Sequence, residues 1–205
     1  MEKETMQCRI FRDPEKNKLI DSNSEKNMIT LGKYYPKYDR QYKDMDKFSI
    51  LVLGIKKDEK RLDTKSVEYY YYKKAIDYFT DRLHAILSDT EEYVICVMPT
   101  HAVGTAPSGI RTIAKQLCSP LIIDGIDVLS RAFEIPKKAI GGSRDLQLEI
   151  ESLTLRNESI VKGRQVLLMD DVITTGTSLK AGKYLLERAG VALVALLALA
   201  KTQRE

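Results

Sequence analysis

The chain lacks the features by which secreted and membrane-spanning proteins are recognised. Its N terminus mixes acidic and basic residues without a leading apolar block, which argues against a secretory signal. The longest apolar run, Val191 to Ala200, has about half of the ~20 residues that a membrane-spanning helix requires. We therefore expect a cytoplasmic protein that has no membrane partner.

Cysteine is scarce, and the usual nucleotide-binding sequences are missing. Cys8, Cys96 and Cys118 stand in no paired spacing, so neither a disulfide framework nor a zinc site is indicated. Cys96 lies inside an apolar run, where we expect a buried, reduced thiol. There is no G-x-x-x-x-G-K-[ST], and no G-x-G-x-x-G follows a strand. The common phosphate-binding loops of nucleotide-dependent enzymes are thereby excluded.

Size and charge describe an ordinary globular protein. The 205 residues predict one domain with an appendage, and 43% hydrophobic and 30% charged residues are typical of a globular chain. The 33 Lys and Arg residues exceed the 29 Asp and Glu residues only slightly, which leaves a net charge of +4. A nucleic-acid partner therefore stays open, supported only by the basic pI of about 8.8 and by tyrosines near lysines.

From residue 48 onward, apolar strand-like runs alternate with helix-period segments. This alternation predicts an α/β fold, with an open parallel sheet and helices on both faces. The predicted helices cover the segment from Tyr72 to Leu87, Ser108 to Cys118, and Ser178 to Ala189, where Gly190 ends the last one. The predicted strands are Phe48 to Ile55, Tyr93 to Met98, Leu121 to Ile123, Val166 to Met169 and Val191 to Ala200.

Two segments depart from this alternation. Residues 1–47 are polar and weakly periodic, and we interpret them as an N-terminal arm or cap on a core of residues 48–205. Residues 124–163 are too polar to be sheet core throughout, so we expect a long, mobile insertion. A cap over any ligand would come from one of these two segments.

The sequence Val166-Leu-Leu-Met-Asp-Asp-Val-Ile-Thr-Thr-Gly-Thr-Ser-Leu179 combines a buried strand, two acids and a hydroxyl-rich turn. Asp170 and Asp171 should lie at the carboxyl end of that strand, where open α/β sheets bind ligands. Thr174, Thr175, Gly176, Thr177 and Ser178 open a helix, and small residues with hydroxyls at a helix N terminus favour an anion. Carboxylates for sugar hydroxyls beside donors for a phosphate predict a ribose 5-phosphate ligand. The alternative is ordinary helix capping, which requires only one such residue.

The run from Leu168 to Ser178 closely resembles the 5-phosphoribosyl-1-pyrophosphate (PRPP) binding motif of type I phosphoribosyltransferases. Within that family the chain looks most similar to the ComF-like branch. The supporting segments are Val97-Met-Pro-Thr-His101, Leu129-Ser-Arg131, the lead-in from Gly163 to Val166, and Ala198-Leu-Ala-Lys201.

The resemblance implies a role for each matched residue. Asp170 and Asp171 would hold the ribose hydroxyls, directly or near a Mg²⁺ that the pyrophosphate carries. The residues from Thr174 to Ser178 would hold the 5-phosphate, and Thr100 and His101 would meet the pyrophosphate. The catalytic set would be Asp170, Asp171, and Lys138 and Arg144 on a closing loop, with Lys137 beside them.

The implied activity is transfer of a phosphoribosyl group from PRPP to an unidentified nucleobase or amine, with release of pyrophosphate. The alternative is a non-catalytic PRPP or nucleotide sensor, or a ComF-like accessory protein in DNA uptake or DNA-related defence. Two departures from the family pattern bear on this choice: Thr174 stands where purine-salvage relatives often have an acid, and Ser108-Gly-Ile-Arg-Thr112 replaces an Arg-Gly-Phe-Asn-Gln sequence. A homodimer is plausible by resemblance alone.

Overall fold

The computed structural model describes residues 7–19, 28–36, 45–104, 107–135 and 145–203. Six of its strands form one sheet, and two form a separate antiparallel pair. The strands are β1 (Met28–Thr30), β2 (Lys33–Tyr34), β3 (Tyr93–Val97), β4 (Ile122–Asp124), β5 (Leu129–Arg131), β6 (Leu153–Leu155), β7 (Gln165–Ile173) and β8 (Leu193–Thr202). The helices are α1 (Pro14–Leu19), α2 (Lys47–Ile55), α3 (Val67–Ile86), α4 (Gly109–Leu117), α5 (Leu146–Glu151) and α6 (Thr177–Arg188).

The main sheet is parallel throughout and has the order β1-β8-β7-β3-β4, with β2 following β1 along the outer edge of β8. Its register aligns the ends of the central strands, since Met169 pairs with both Val97 and Leu197. Because parallel strands end at the same edge, the residues that follow β3 meet the acids of β7.

Helices cover both faces of this sheet, so the predicted α/β class is confirmed. One face carries α2, α3 and α4, whose apolar side chains pack on Ile95, Leu167 and Leu197. The other face carries α6 and the β5–β6 pair, which pack on Cys96 and Leu168. The four residues from Val166 to Met169 are fully buried, because both sides of β7 are covered.

The three predicted helices are present, and the last one is followed, as predicted, by Gly190 in a left-handed conformation (φ +82°). The prediction of a strand from Phe48 to Ile55 is wrong, because this run forms α2. The Asp46 side chain accepts a hydrogen bond from the Ser49 N–H at 2.9 Å and caps the helix. A continuous apolar run has no periodicity that would separate a buried helix from a buried strand.

The N-terminal segment shares the sheet and the core of the rest of the chain. Strand β1 adds to the edge of β8, with Met28 opposite Leu196, and the side chains of Ile10 and Phe11 are buried in the same apolar cluster as α3. The boundary after residue 47 stays a prediction. Within the insertion, the structure describes residues 124–135 and 145–163, which include β5, α5 and β6.

Two further expectations concern burial. The Cys96 thiol is free and fully buried, and burial raises its pKa to about 12, so it stays protonated and unreactive. Across the part of the chain that the structure describes, no helix combines the length and the apolar character needed to cross a bilayer.

Candidate functional site

A cavity of about 670 Å³ opens at the carboxyl ends of β3 and β7. Its walls come from the end of α2 and the residues after it (55–58), the first loop (98–101), the N terminus of α4 (107–110), and the end of β7 with the following turn (170–178). Arg131 at the end of β5 completes the lining. This volume suits a small ligand, and the position is the usual ligand site of an open parallel sheet.

The two acids of β7 form one wall of this cavity. Asp170 Oδ1 accepts a hydrogen bond from the Asp171 N–H at 2.8 Å, and Asp171 Oδ1 accepts one from the Val172 N–H at 2.6 Å. These backbone bonds orient the two carboxylates relative to the strand. Both side chains therefore stay at the cavity wall, where they can accept hydrogen bonds from a polar ligand.

Lys56 lies at the C-terminal end of α2 and contacts the acidic pair. Its Nζ is 2.7 Å from Asp171 Oδ2, so both oxygens of Asp171 already have a donor. Gly109 makes this contact possible, because a Cβ at that position would lie 2.5 Å from the carbonyl oxygen of Ile55. The close approach of α4 fixes the end of α2 beside the cavity.

Burial and neighbouring charges shift the pKa of Asp170 and of Lys56. Burial raises the pKa of Asp170 well above its usual range, and the neighbouring Asp171 carboxylate raises it further. Burial alone would lower the pKa of Lys56, but the carboxylates of Asp171 and Asp170 more than offset this effect and raise it. Lys56 therefore stays positively charged at neutral pH, and Asp170 holds its proton more tightly than a solvent-exposed aspartate does.

The turn after β7 presents the N terminus of α6 to the cavity. Gly176 precedes the helix with φ +76°, a left-handed conformation that glycine adopts without strain. Gly176 at the N-cap position has no side chain that could cap the helix, and the hydroxyls of Thr175 and Thr177 are 2.8 Å apart. Uncapped N–H groups at the positive end of a helix dipole are a common anion site.

The first loop follows β3 on the opposite side of the cavity. Its backbone is tied to β7, because the Met98 N–H donates to the Met169 carbonyl at 2.8 Å. Thr100 and His101 then line the cavity, with Ser108 at the start of α4. The Ser108 side chain does not cap its helix, so this second helix end also presents N–H groups at the cavity.

A buried ion pair lies behind these two loops. The Arg131 and Glu149 side chains are each 1% exposed, and Arg131 Nη2 is 2.8 Å from Glu149 Oε2. Arg131 Nε donates to the Thr100 carbonyl at 3.0 Å, and the Ser178 hydroxyl donates to Glu149 Oε1 at 3.0 Å. The pair thus connects the first loop with the start of α6.

The acidic pair offers Mg²⁺ suitable ligand atoms but no complete cage. Mg²⁺ prefers oxygen ligands and commonly takes one or two carboxylates together with phosphate oxygens and water. No cluster of three or more candidate ligand side chains occurs among the described residues. The acids therefore fit an ion that arrives with phosphate oxygens better than an ion held by the protein alone.

The structure brings most of the predicted site residues to one cavity. These are Thr100, His101, Asp170, Asp171, Thr174, Thr175, Gly176, Thr177 and Ser178. Lys137, Lys138 and Arg144 lie outside the described residues. The roles assigned to all of these side chains stay predictions.

The sequence pattern does not identify Lys56, Lys57 and Asp58, which line the cavity, or Glu149, which lies behind it. The two lysines follow α2, whose apolar run predicts a strand, although Asp46 three residues before Ser49 is a capping signal. Glu149 lies between Leu148 and Ile150, two positions before the exposed Glu151, so the sequence does not distinguish it as an acid with a buried partner. Nothing in the sequence identifies Arg131 as that partner.

Comparison with known proteins agrees with this geometry. Residues 107–205 match the family model described as phosphoribosyl transferase domain. The match covers just under half of the chain and includes β4 to β8, α4 to α6 and the turn at Gly176. Together with the parallel sheet, it supports the fold of type I phosphoribosyltransferases.

Three relatives belong to a narrower class than the family model describes, because each is an adenine phosphoribosyltransferase. The chain is 34% identical over 70 residues to an adenine phosphoribosyltransferase of Bifidobacterium longum (strain DJO10A), covering 34% of this chain and 36% of that protein. It is 30% identical over 106 residues to one of Carboxydothermus hydrogenoformans, covering 52% and 61%. A third, of Treponema denticola, is 36% identical over 81 residues, covering 40% of each. The chain thus spans less than two thirds of the length of each of these relatives.

Proposed function

We propose that this protein is a phosphoribosyltransferase that moves the phosphoribosyl group of PRPP to a nucleobase and releases pyrophosphate. The observation that carries the proposal is the cavity in which Asp170 and Asp171 lie beside the N terminus of α6, which begins after Gly176. Carboxylates suit the ribose hydroxyls, and helix N–H groups suit the 5-phosphate. The match of residues 107–205 to the phosphoribosyl transferase domain supports this choice of ligand.

In this proposal, each wall of the cavity holds one part of PRPP. Asp170 and Asp171 accept the hydroxyls at C2 and C3, and the turn from Thr174 to Ser178 receives the 5-phosphate. The first loop at Thr100 and His101 and the N terminus of α4 receive the pyrophosphate. Mg²⁺, when it is bound with PRPP, neutralises pyrophosphate oxygens and improves the leaving group.

The transfer breaks the C1–oxygen bond to pyrophosphate and forms a C1–nitrogen bond to the acceptor. The electron pair of the broken bond leaves with pyrophosphate, the acceptor nitrogen provides the new pair, and the proton of that nitrogen is released to water. The transition state gathers positive charge at C1, which the acidic pair stabilises, while donors of the first loop stabilise the departing anion. Holding the two reactants in line supplies a further part of the rate.

Adenine is the first acceptor to test, because three relatives are adenine phosphoribosyltransferases. Thr174 argues against a hypoxanthine or guanine enzyme of the usual kind, since it supplies no acid that could take a proton from the base. The acceptor must therefore be a base that reacts without a carboxylate at this position to take its proton.

A second candidate is a PRPP or nucleotide sensor, or an accessory protein of the ComF-like branch. The observation that favours it is the Lys56–Asp171 contact, which fills an oxygen that a ribose hydroxyl would otherwise use. The replaced sequence around Ser108 at the pyrophosphate side points the same way. This candidate predicts ligand binding without turnover.

One assay distinguishes the enzyme from the sensor. The protein is incubated with PRPP, Mg²⁺ and a panel of nucleobases and small amines, and pyrophosphate release is measured together with PRPP binding. We expect release with adenine, and a loss of at least ~100-fold in the double variant D170N/D171N. The matched control is D77N/D81N on the exposed side of α3, which should keep full activity.

Binding of PRPP without release for any acceptor would contradict the enzyme and favour the sensor. Wild-type release rates in D170N/D171N would contradict the assignment of the acidic pair.

A further inference from the structure

The Arg131–Glu149 pair is the most deeply buried charged feature of the described residues. Both side chains are 1% exposed, and Glu149 is not part of the cavity lining. Removing two charges from water costs free energy that their attraction offsets only with good geometry, so a buried pair is weak evidence for stability. Replacement by apolar side chains is often neutral, which makes a role in the site worth examining.

The hydrogen bonds of the pair extend to both ligand loops. Arg131 donates through Nε to the Thr100 carbonyl at 3.0 Å and through Nη1 to the Ser152 hydroxyl. Glu149 receives the Ser178 hydroxyl on Oε1 and Arg131 on Oε2. The Arg131–Glu149 pair therefore fixes Thr100 in the first loop and Ser178 in the first turn of α6.

We propose that Arg131 and Glu149 are positioning residues that hold the two anion sites of the cavity at a fixed separation. Glu149 orients the first turn of α6 through Ser178, and Arg131 orients the first loop through the carbonyl of Thr100. The inference rests on the proposed function for the nature of the ligand. Glu149 does not line the cavity, and the Arg131 side chain is 1% exposed with its Nε bonded to the Thr100 carbonyl, so both act through the loops that they hold.

The pair also determines what Ser178 offers to a ligand. A serine hydroxyl has one donor, and in this structure Glu149 receives it. Ser178 therefore contributes its backbone N–H to the anion, and its side chain serves as the attachment point of the turn. The bond to Glu149 is charge-assisted, which makes it stronger than a bond between neutral groups.

The variant E149Q tests the proposal, with ribose 5-phosphate as the probe and calorimetric titration as the measurement. It keeps the shape of the side chain and removes the charge. We expect about tenfold weaker binding, in line with the loss of a hydrogen bond to a charged group. E151Q on the same helix is the matched control, because Glu151 is exposed and bonds only Gln147 among the described residues. Its affinity should equal that of the wild type.

A double-mutant cycle with S178A shows whether Glu149 acts through Ser178. S178A should weaken binding to a similar extent, and S178A with E149Q should bind about as S178A alone does, because S178A removes the hydrogen bond that E149Q deprives of its charge. Additive losses would overturn the inference. So would an E149Q protein that is less stable but binds ribose 5-phosphate as the wild type does, because that result indicates a structural role only.

Failure of the proposed function gives a different result, namely a wild-type protein that does not bind ribose 5-phosphate at all. A second measurement requires no variant and covers the case in which E149Q does not fold. Ribose 5-phosphate should slow amide hydrogen exchange in α5 of the wild-type protein, although Glu149 and its helix do not line the cavity. Unchanged exchange in α5 upon binding would overturn the inference.

Discussion

At the scale of one residue, Asp170 makes the free energy of unfolding depend on pH, because the folded state disfavours its ionised form. Burial and the adjacent Asp171 raise its pKa, so the folded protein binds this proton more tightly than the unfolded chain. A carboxyl group with a raised pKa adds stability at low pH, and this contribution is lost as the pH rises through the folded-state pKa. Each unit of difference between the two pKa values is worth about 1.4 kcal/mol.

We therefore expect D170N to raise the melting temperature at pH 7 to 8 and to make it less dependent on pH above about pH 4, the ordinary range of an aspartate. The asparagine resembles the protonated acid and carries no charge into the site. Thermal unfolding of wild type and variant from pH 4 to 8 is the measurement. A lower melting temperature for D170N at pH 8 would show that the ionised carboxylate is stabilising.

Lys56 is the second residue whose substitution has a defined outcome. Its ammonium group is the counter-charge of Asp171, so K56M should leave the acidic pair open to another cation. We expect ligand-free K56M to bind Mn²⁺, a spectroscopic substitute for Mg²⁺, about tenfold more tightly than the wild type. Electron paramagnetic resonance of free Mn²⁺ measures this.

K57M is the control for this change, because Lys57 lines the same cavity, whereas the ammonium group paired with Asp171 is that of Lys56. Its Mn²⁺ affinity should stay close to that of the wild type. Equal Mn²⁺ affinity in K56M and wild type would contradict the role of Lys56 as counter-ion.

At the scale of elements, the turn into α6 depends on one backbone conformation. Gly176 has φ +76°, and a Cβ there would lie 2.5 Å from the end of the Met28 side chain. G176A should cost roughly 1–2 kcal/mol from the left-handed conformation alone. It should also weaken ribose 5-phosphate binding, because the N–H groups of the first turn would shift.

The control for this change is G190A at the other end of the same helix. Gly190 has φ +82°, and a Cβ added there would lie 3.7 Å from the nearest side-chain atom, so the backbone strain is similar. G190A should lose comparable stability in thermal unfolding and keep the wild-type affinity in titration. If G176A bound ribose 5-phosphate as tightly as G190A, the turn would not be the phosphate site.

The elements also show what sequence reasoning reaches and where it stops. Strand β7 and the turn at Gly176 were predictable, because burial on both faces, paired acids and small hydroxylated residues all follow one another in the chain. Helix α2 was not, since nine largely apolar residues satisfy a strand as well as a helix. The contact between Arg131 and Glu149 could not be predicted, because it joins the end of β5 to α5 across 18 positions of the chain and does not follow from local pattern.

At the scale of the whole molecule, ligand binding should appear as stability. The proposed ligand, PRPP with Mg²⁺, should bind only the folded chain, and at one hundred times its dissociation constant it would add about 2.7 kcal/mol of stability. For a chain of this size we expect the melting temperature to rise by about 5–10 °C. Scanning fluorimetry with PRPP, Mg²⁺ and both together provides the measurement. No rise with both together would contradict PRPP as the ligand.

The sheet order has a consequence for the way in which the chain folds. Strand β1 lies beside β8, so residues near position 29 pair with residues near position 197, and Met28 reaches the turn at Gly176. Closing so long a segment is entropically costly and slow. During synthesis β1 has no partner until β8 has left the ribosome, so the edge of the sheet beside the turn at Gly176 is completed after the central strands.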